Sequence, residues 1–258
     1  MNTIAELCNN RLHAGLMFGV EIEMEGRRLN ADLMGWDVHQ DGSLRNGVEY
    51  VFDGPKKLAK GISLVQELYH TWDRQEARLE PSYRCSTHVH VNVSDWNVKE
   101  VQAAVFAYHL LEDLFLTRVH QDRKDNRFAV SGRYSKELER NPLWGGNPQD
   151  IREEVYKYSS LNTATLNKYG TLEFRSLHAS KDSAIVVDWL HTLNYFMTNV
   201  KEMGSVANVV KAFNEDRLAF AKKLVATRWC DAERARLEDL ERNYSSLVGI
   251  LMFTPAGA

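Results

Sequence analysis

The sequence has few of the residues that build disulfide-rich or zinc-ribbon proteins. It contains three cysteines in 258 residues, Cys8, Cys85 and Cys230. They are widely spaced, odd in number and form no C-x-x-C motif, which argues against both a disulfide framework and a zinc ribbon. We therefore expect a protein of the reducing cytoplasm.

Long apolar runs and a strong net charge are also absent. No apolar stretch approaches the ~18 residues of a membrane span, and the first residues lack the basic and apolar regions of a signal peptide. The formal net charge of -3 gives no reason to expect a nucleic acid or an anionic membrane as a partner. The chain is long enough to bury a substantial core, and we expect one domain.

What the sequence does contain is the alternating run FGVEIEME, which begins at Phe18. A period of two predicts a β-strand whose apolar residues share one face and whose acidic residues share the other. The acidic face carries Glu21, Glu23 and Glu25. Carboxylates ~6–7 Å apart on one strand repel each other, so a divalent cation is one interpretation. A half-buried strand with a solvated outer face is the alternative.

Two further strands are predicted with chemical groups on one face. In residues 47–52 the apolar residues alternate with Glu49, after a turn marked by Asp41-Gly42. In residues 86–93 the valines alternate with His88, His90 and Asn92. Two histidines at positions i and i+2 indicate metal ligation or substrate contact, although a structural role is as probable from this strand alone.

The last strand with such a face is predicted over residues 170–177, where Glu173 and Arg175 lie on the same side. Asn162 precedes it and is expected to begin a neighbouring strand. Apolar residues at helical spacing predict helices over residues 56–72, 98–119, 182–199, 206–227 and 231–248. Residues 120–150 have little periodicity and predict a long loop or lid that contains Arg127 and Arg133.

Four strands thus combine an apolar face with acidic, imidazole or guanidinium groups, whereas an ordinary exposed face carries mainly Thr, Lys, Gln and Ser. This repetition weakens the solvated-face interpretation. If the strands are neighbours, their shared face offers hard oxygen ligands for Mg²⁺ or Mn²⁺. Arg175 could then hold a phosphate oxygen.

The motifs FGVEIEME, DGSL with GVEYV, THVHVNV, and YSSLN followed by GTLEFRSL occur in one order along the chain. In this order they resemble the amidoligase family, which is similar to glutamate-cysteine ligase and glutamine synthetase. The resemblance covers about residues 17–200 and rests on several short motifs in register.

The resemblance implies an α+β fold like that of glutamine synthetase and the guanido kinases. An antiparallel sheet would present a concave face to ATP and Mg²⁺ or Mn²⁺, with helices packed on the other face. Residues 1–200 would form the catalytic core and residues 201–258 a helical C-terminal extension of the same domain. The implied activity is ATP-dependent, ADP-forming ligation of a small-molecule or peptide carboxylate to an amine through an acyl phosphate.

The resemblance also assigns roles to particular residues. Its metal-binding acids match Glu21, Glu23, Glu49 and Glu173. Its H-x-H pair matches His88 and His90, of which His88 is expected to contact the nucleotide and His90 to act as a ligand or proton acceptor. Its phosphate-binding arginine matches Arg175, and its asparagine before the last strand matches Asn162.

The basic loop matches no motif, so a nucleotide-binding role for Arg133 or Arg127 is a guess. Two other classes of function stay open. A metal-dependent hydrolase would also place Glu and His on a sheet, although the Glu and His that follow H-x-H in a cupin are missing here. A non-catalytic relative would bind a nucleotide or a partner, but it would be expected to have lost at least one metal-binding acid.

Overall fold

An antiparallel sheet positions the predicted chemical groups. The structure is a computed structural model that describes residues 1–124, 126–132, 138–225 and 237–252. Within these residues the sheet has seven strands in the order β2-β3-β1-β5-β7-β6, with the short β4 paired to the end of β1. The strands are β1 Phe18–Arg27, β2 Trp36–His39, β3 Gly47–Phe52, β4 Arg78–Leu79, β5 Ser86–Asn92, β6 Leu161–Asn162 and β7 Thr171–His178.

Helices fill most of the remaining described chain. The α-helices are α1 Ile4–Cys8, α2 Leu58–Arg74, α3 Val98–Leu116, α4 Gln121–Lys124, α5 Glu153–Tyr156, α6 Thr165–Tyr169, α7 Ser183–Met203, α8 Val206–Glu215, α9 Arg217–Leu224 and α10 Leu237–Leu251. Local sequence explains where several of them begin. Asn97 and Glu100 form a capping box at the start of α3, and the Asp182 side chain accepts the Ala184 N–H at the start of α7.

The apolar face of the sheet lies against α2, α3 and α7. Trp72 of α2 packs edge-on against Tyr50 of β3, with ring centroids 5.6 Å apart. Tyr108 of α3 packs in the same way against Phe174 of β7 at 5.3 Å. The apolar residues of β1 are fully buried, namely Phe18, Val20, Ile22 and Met24. The face assignment predicted for this strand is therefore confirmed, and each such side chain contributes about 1.5–3 kcal/mol to folding.

The structure differs from the sequence prediction in several local features. The strand β2 was not predicted, and residues 120–150 contain α4 and two short 3₁₀ helices, Pro142–Gly145 and Pro148–Asp150, instead of only a loop. Residues 206–227 do not form one helix, because Asp216 adopts an extended backbone (φ -157°) and its side chain caps α9 at the Ala219 N–H. Asp favours such caps over helix interiors.

The C-terminal helix packs on the long central helix. Asn243 of α10 is buried and donates to the Leu110 carbonyl of α3 at 3.2 Å, and Arg242 pairs with Asp113 at the same distance. Residues 231–236, where this helix was predicted to begin, lie outside the described part of the chain. Among the described helices none combines the length and apolar character needed to cross a membrane.

Candidate active site

The strand register brings the predicted residues together on the face opposite the helices. Glu23 of β1 pairs with Glu49 of β3, and Glu21 of β1 pairs with His88 of β5. His90 of β5 pairs with Glu173 of β7, which in turn pairs with Asn162 of β6. Residues that are up to 152 positions apart in the chain thereby become neighbours across five strands.

A β-bulge in β7 interrupts the alternation directly after Arg175. Thr87 pairs with Leu177 and Val89 with Phe174, so β7 has one more residue than β5 between these pairs. Strict alternation would put Leu177 on the same face as Glu173 and Arg175. The extra residue shifts the alternation so that Phe174 and Leu177 are both fully buried, whereas the Arg175 guanidinium pairs with the Glu173 carboxylate. The bulge thus ends the chemical face at Arg175.

The first of two potential cation sites consists of Glu21, His90 and Glu173, here called the imidazole trio. One ligand atom from each residue lies within 4.8 Å of the others. His90 Nε2 is 3.2 Å from Glu21 Oε1, and its Nδ1 is 3.1 Å from Thr171 Oγ1. Asn162 Nδ2 donates to Glu173 Oε2 at 2.6 Å, which fixes that carboxylate from the β6 side.

Cationic neighbours balance the charge of the imidazole trio. Burial alone would raise the pKa of the Glu21 carboxyl, but hydrogen bonds with His88 and His90 hold it well below its usual value. Burial also opposes ionisation of Glu173, and His90, His88 and Arg175 together lower its pKa. Burial acts to lower the pKa of His90, but its bond to Glu21 and the charge of Glu173 raise it. Both carboxylates are therefore ionised at neutral pH.

The second potential cation site consists of Glu23, Asp41 and Glu49, here called the carboxylate trio. Its ligand oxygens also lie within 4.8 Å of one another. Asp41 belongs to the turn between β2 and β3 and accepts the Ser43 N–H at 2.7 Å. Burial, together with the charges of Glu21, Glu23 and Asp41, raises the pKa of Glu49 to about 7. A set of oxygen ligands with this much uncompensated negative charge suits a hard divalent cation.

His88 connects the two trios but is itself enclosed. Its Nδ1 is 3.2 Å from Glu21 Oε2, and its Nε2 is 2.8 Å from Ser86 Oγ. Ser86 donates its N–H to Glu23 Oε2 at 3.0 Å. His88 is buried and borders neither of the cavities described next. The structure therefore places it behind the site, where it orients the carboxylates of Glu21 and, through Ser86, of Glu23.

Two cavities meet at Glu21, His90 and Tyr169. The smaller, of about 190 Å³, also borders Arg175 and two lysines, Lys157 and Lys168. We call it the cationic cavity. It further borders Glu153, Asn162 and Glu173, so both acidic and basic side chains line it.

The larger cavity, of about 310 Å³, has mainly apolar walls formed by residues such as Met17, Phe52 and Pro55. We call it the apolar cavity. Gly19 lies on this wall opposite His90, and a Cβ there would approach the His90 Cβ to 3.3 Å. The absence of a side chain at Gly19 keeps the space beside His90 open.

Some predicted residues lie elsewhere, and some residues of the site were missed. Arg133 falls outside the described residues. Arg127 is exposed, lies over the Phe128 ring and borders neither cavity. In the sequence Asp41 marks only a turn. Its position as an acid between two paired strands is a signal that could have assigned it to the site. Lys157 and Lys168 carried no such signal, since isolated lysines on or directly after short helices are usually solvated.

Glu25, the third acid of the first strand, has a different role. It belongs to neither trio, and its Oε1 accepts the Arg45 N–H at 2.9 Å. Its carboxylate thereby holds the loop that leads into β3. The acidic row of β1 is thus divided between two potential cation sites and one structural contact.

The middle of the chain matches the model of a known protein family. Residues 47–197 match the model of a family described as "Putative amidoligase enzyme". The chain belongs to this family. The matched region contains the site residues Glu49, His88, His90, Asn162, Glu173 and Arg175. Glu21, Glu23 and Asp41 precede this region, and the pairing of the strands brings them to the same site. No curated protein matches the chain.

Proposed function

We propose that the protein is an ATP-dependent carboxylate–amine ligase that forms an amide or peptide bond through an acyl phosphate. The observation that carries this proposal is that the imidazole trio and the carboxylate trio lie beside a cavity lined by Arg175, Lys157 and Lys168. Membership of the amidoligase family supports a ligase-type enzyme. We further propose that the fold is similar to that of glutamine synthetase. The protein would act in the cytoplasm and would use ATP with divalent cations.

The donor sets fit divalent cations. The carboxylate trio offers only oxygen ligands, which Mg²⁺ and Mn²⁺ both accept, while the imidazole trio adds one nitrogen, which Mn²⁺ tolerates better. When bound, such cations would screen the phosphate charges from the attacking carboxylate and from each other. Glu21 and Glu173 would hold one cation with His90, and Glu23, Asp41 and Glu49 would hold another.

The cationic cavity is the proposed position of the triphosphate. Arg175 offers a planar guanidinium that can bind two phosphate oxygens at once, and Lys157 and Lys168 add two more positive charges. In the first step an oxygen of the substrate carboxylate forms a bond to the γ-phosphorus, the bond to ADP breaks, and ADP leaves. Arg175 would stabilise the charge that is spread over the transferring phosphoryl oxygens.

The amide forms in a second step. The amine nitrogen attacks the acyl carbon, the carbon–oxygen bond to phosphate breaks, and inorganic phosphate leaves with that electron pair. The amine loses a proton, which the departing phosphate can accept. His90 borders both cavities and would act at this junction as a neutral ligand of the cation. The apolar cavity would hold the body of a carboxylate or amine substrate next to this junction.

Hydroxylamine trapping tests the mechanism. Carboxylates would first be screened for release of phosphate from Mg-ATP. With an active carboxylate and no amine, hydroxylamine should capture the acyl phosphate as a hydroxamate. Arg175→Ala should reduce the yield of hydroxamate by about 10²–10³-fold, the loss expected for one charge-stabilising group.

Arg127→Ala is the matched control, since this arginine is exposed and borders neither cavity. It should retain the wild-type yield of hydroxamate. Formation of AMP and pyrophosphate would contradict the acyl-phosphate mechanism. Metal-dependent hydrolysis of a substrate without any requirement for ATP would favour the hydrolase alternative.

A further inference from the structure

A third cavity, of about 140 Å³, lies beside the segment that precedes β5, the helix α4 and the end of β7. It shares no lining residue with the cationic or the apolar cavity. Its polar lining residues are Ser82, Tyr83, His120, Asp122, Arg123 and His178. Neither the proposed ligase reaction nor the resemblance to a family assigns a role to any of them.

Arg123 is the unusual member of this group. It is 1% exposed, and its Nη2 donates to the Arg175 carbonyl at 2.7 Å. Its Nε and Nη1 are buried and have no hydrogen-bond partner among the described residues. No carboxylate of a described residue forms an ion pair with it in this structure. Burial lowers the pKa of Arg123 to about 10, although the charge of Glu23 opposes this shift. A buried guanidinium that lacks two hydrogen bonds is costly unless a ligand supplies them.

His178 adds a donor to the same cavity. Its Nδ1 accepts the His120 N–H at 3.1 Å, so the proton of the neutral ring is on Nε2. Burial, together with the nearby His120 and Arg123, lowers the pKa of His178, which favours this neutral form. Asp122 is the only acid among the described lining residues, and its side chain is 62% exposed. The buried charge of this cavity is therefore positive.

We infer that this cavity binds a small oxyanion, a phosphate or a carboxylate group, through the guanidinium of Arg123 and the ring N–H of His178. Such a ligand brings a negative charge into contact with the guanidinium and accepts the N–H groups that have no partner. Since Arg123 also holds the Arg175 carbonyl, the ligand would fix the strand segment that carries Arg175. The cavity volume excludes a whole nucleotide and admits inorganic phosphate or a short carboxylic acid.

Nuclear magnetic resonance of the histidine side chains tests this site directly. Inorganic phosphate and acetate would be titrated separately at constant ionic strength while the ring nitrogens of His178 and His90 are followed. Saturable shifts of the His178 signals support the proposal, and the anion that produces them identifies the ligand class. Shifts confined to His90 would mean that the anion binds only in the cationic cavity, and they would overturn it, as would the absence of any saturable shift.

Variants then test the assigned residues. Arg123→Met keeps the length of the side chain without its charge and should weaken anion binding at His178 by about tenfold or more. A second pair of variants covers the case in which Arg123→Met does not fold. His178→Asn retains an acceptor near the position of Nδ1 and removes Nε2, whereas His178→Gln retains a donor near Nε2.

With the signals of His120 as the readout, anion affinity should fall in His178→Asn by about tenfold and less in His178→Gln. Equal affinity in the wild type and His178→Asn would overturn the role of His178. Unchanged binding in a folded Arg123→Met protein would show that the buried arginine serves the fold alone.

Discussion

The two trios lie side by side on one sheet face but differ in how their charge is balanced. In the imidazole trio, His88, His90 and Arg175 surround the carboxylates and lower the pKa values of Glu21 and Glu173. In the carboxylate trio, neighbouring acids and burial raise the pKa of Glu49 to about 7. The same residue type thus acquires opposite shifts within one site, because the sign of the nearby charges differs.

This difference indicates distinct requirements for a cation. The negative charge of the imidazole trio is partly offset, because Arg175 pairs with Glu173 and His90 has a raised pKa beside both carboxylates. The carboxylate trio becomes balanced only when a cation binds or when a carboxyl is protonated. We therefore expect the carboxylate trio to depend more strongly on added metal and on pH.

The largest expected effect comes from breaking the sheet that holds both trios. Val91 is fully buried on the core face, and the neighbouring His90 lies on the site face. Val91→Asp should cost several kcal/mol because it buries an unpaired carboxylate. His90→Ala should leave the fold intact. Thermal unfolding of the two variants checks this expectation, and the opposite order would show that the assigned register of β5 is wrong.

A smaller effect should follow from removing one ligand of one trio. Glu23→Gln should weaken binding of Mn²⁺ at the carboxylate trio by at least about tenfold, with a consequent loss of Mg-ATP binding. The imidazole trio should retain its cation. Calorimetric titration with Mn²⁺ and then with ATP measures both events.

Glu25→Gln is the matched control for Glu23→Gln. It changes a buried carboxylate of the same strand that belongs to neither trio. Its affinity for Mn²⁺ should equal that of the wild type. If both variants bind Mn²⁺ as the wild type does, Glu23 is not a metal ligand.

The raised pKa of Glu49 predicts a pH effect without metal. The pKa of Glu49 is about 7 in the folded protein and about 4.3 in an unfolded chain. Between these two pH values the folded state therefore keeps a proton on Glu49 that the unfolded chain has released. The contribution of Glu49 to the free energy of unfolding should fall as the pH rises from about 4.3 to about 7 and stay constant above.

Glu49→Gln should remove this contribution. In the presence of a chelator, the free energy of unfolding of the wild type should fall, relative to that of the variant, by on the order of 1 kcal/mol as the pH rises from about 5 to about 8. The expected difference is small because Glu49 is only half-buried, so water screens its charge. Denaturant unfolding at the two pH values measures the difference. Saturating Mn²⁺ should abolish this pH dependence in the wild type. A difference in the free energy of unfolding between the two proteins that does not change with pH would contradict the raised pKa of Glu49.

The smallest effect is expected for Asp41→Asn. Asn retains the side-chain oxygen that accepts the Ser43 N–H, so the turn should form as before. The loss of one charge should weaken Mn²⁺ binding less than Glu23→Gln does and should lower the pKa of Glu49. Calorimetry and the pH dependence of unfolding measure these two results, and an unchanged Glu49 contribution would exclude Asp41 from the carboxylate trio.

Much of the site could be predicted because its residues lie on strands in which apolar and polar residues alternate. In β1, β3 and β5 a period of two separates buried valines and aromatics from Glu21, Glu49 and His90 without knowledge of the partner strands. Alternation could not reveal the bulge in β7, since it depends on pairing with β5. Nor could it separate Glu25 from Glu23, because the contact with the Arg45 N–H comes from a loop 20 residues away.

The sequence by itself determined which face of β1, β3 and β5 carries chemistry, because alternation is a local property of an extended backbone. Only the tertiary structure decided how the acids are grouped, since the register of β1 against β3 and β5 assigns each carboxylate its neighbours. It also placed Asp41, Lys157 and Lys168 at the site and buried Arg123 beside the end of β7. Their surroundings come from segments distant in the chain, and the pKa of a group follows from those surroundings.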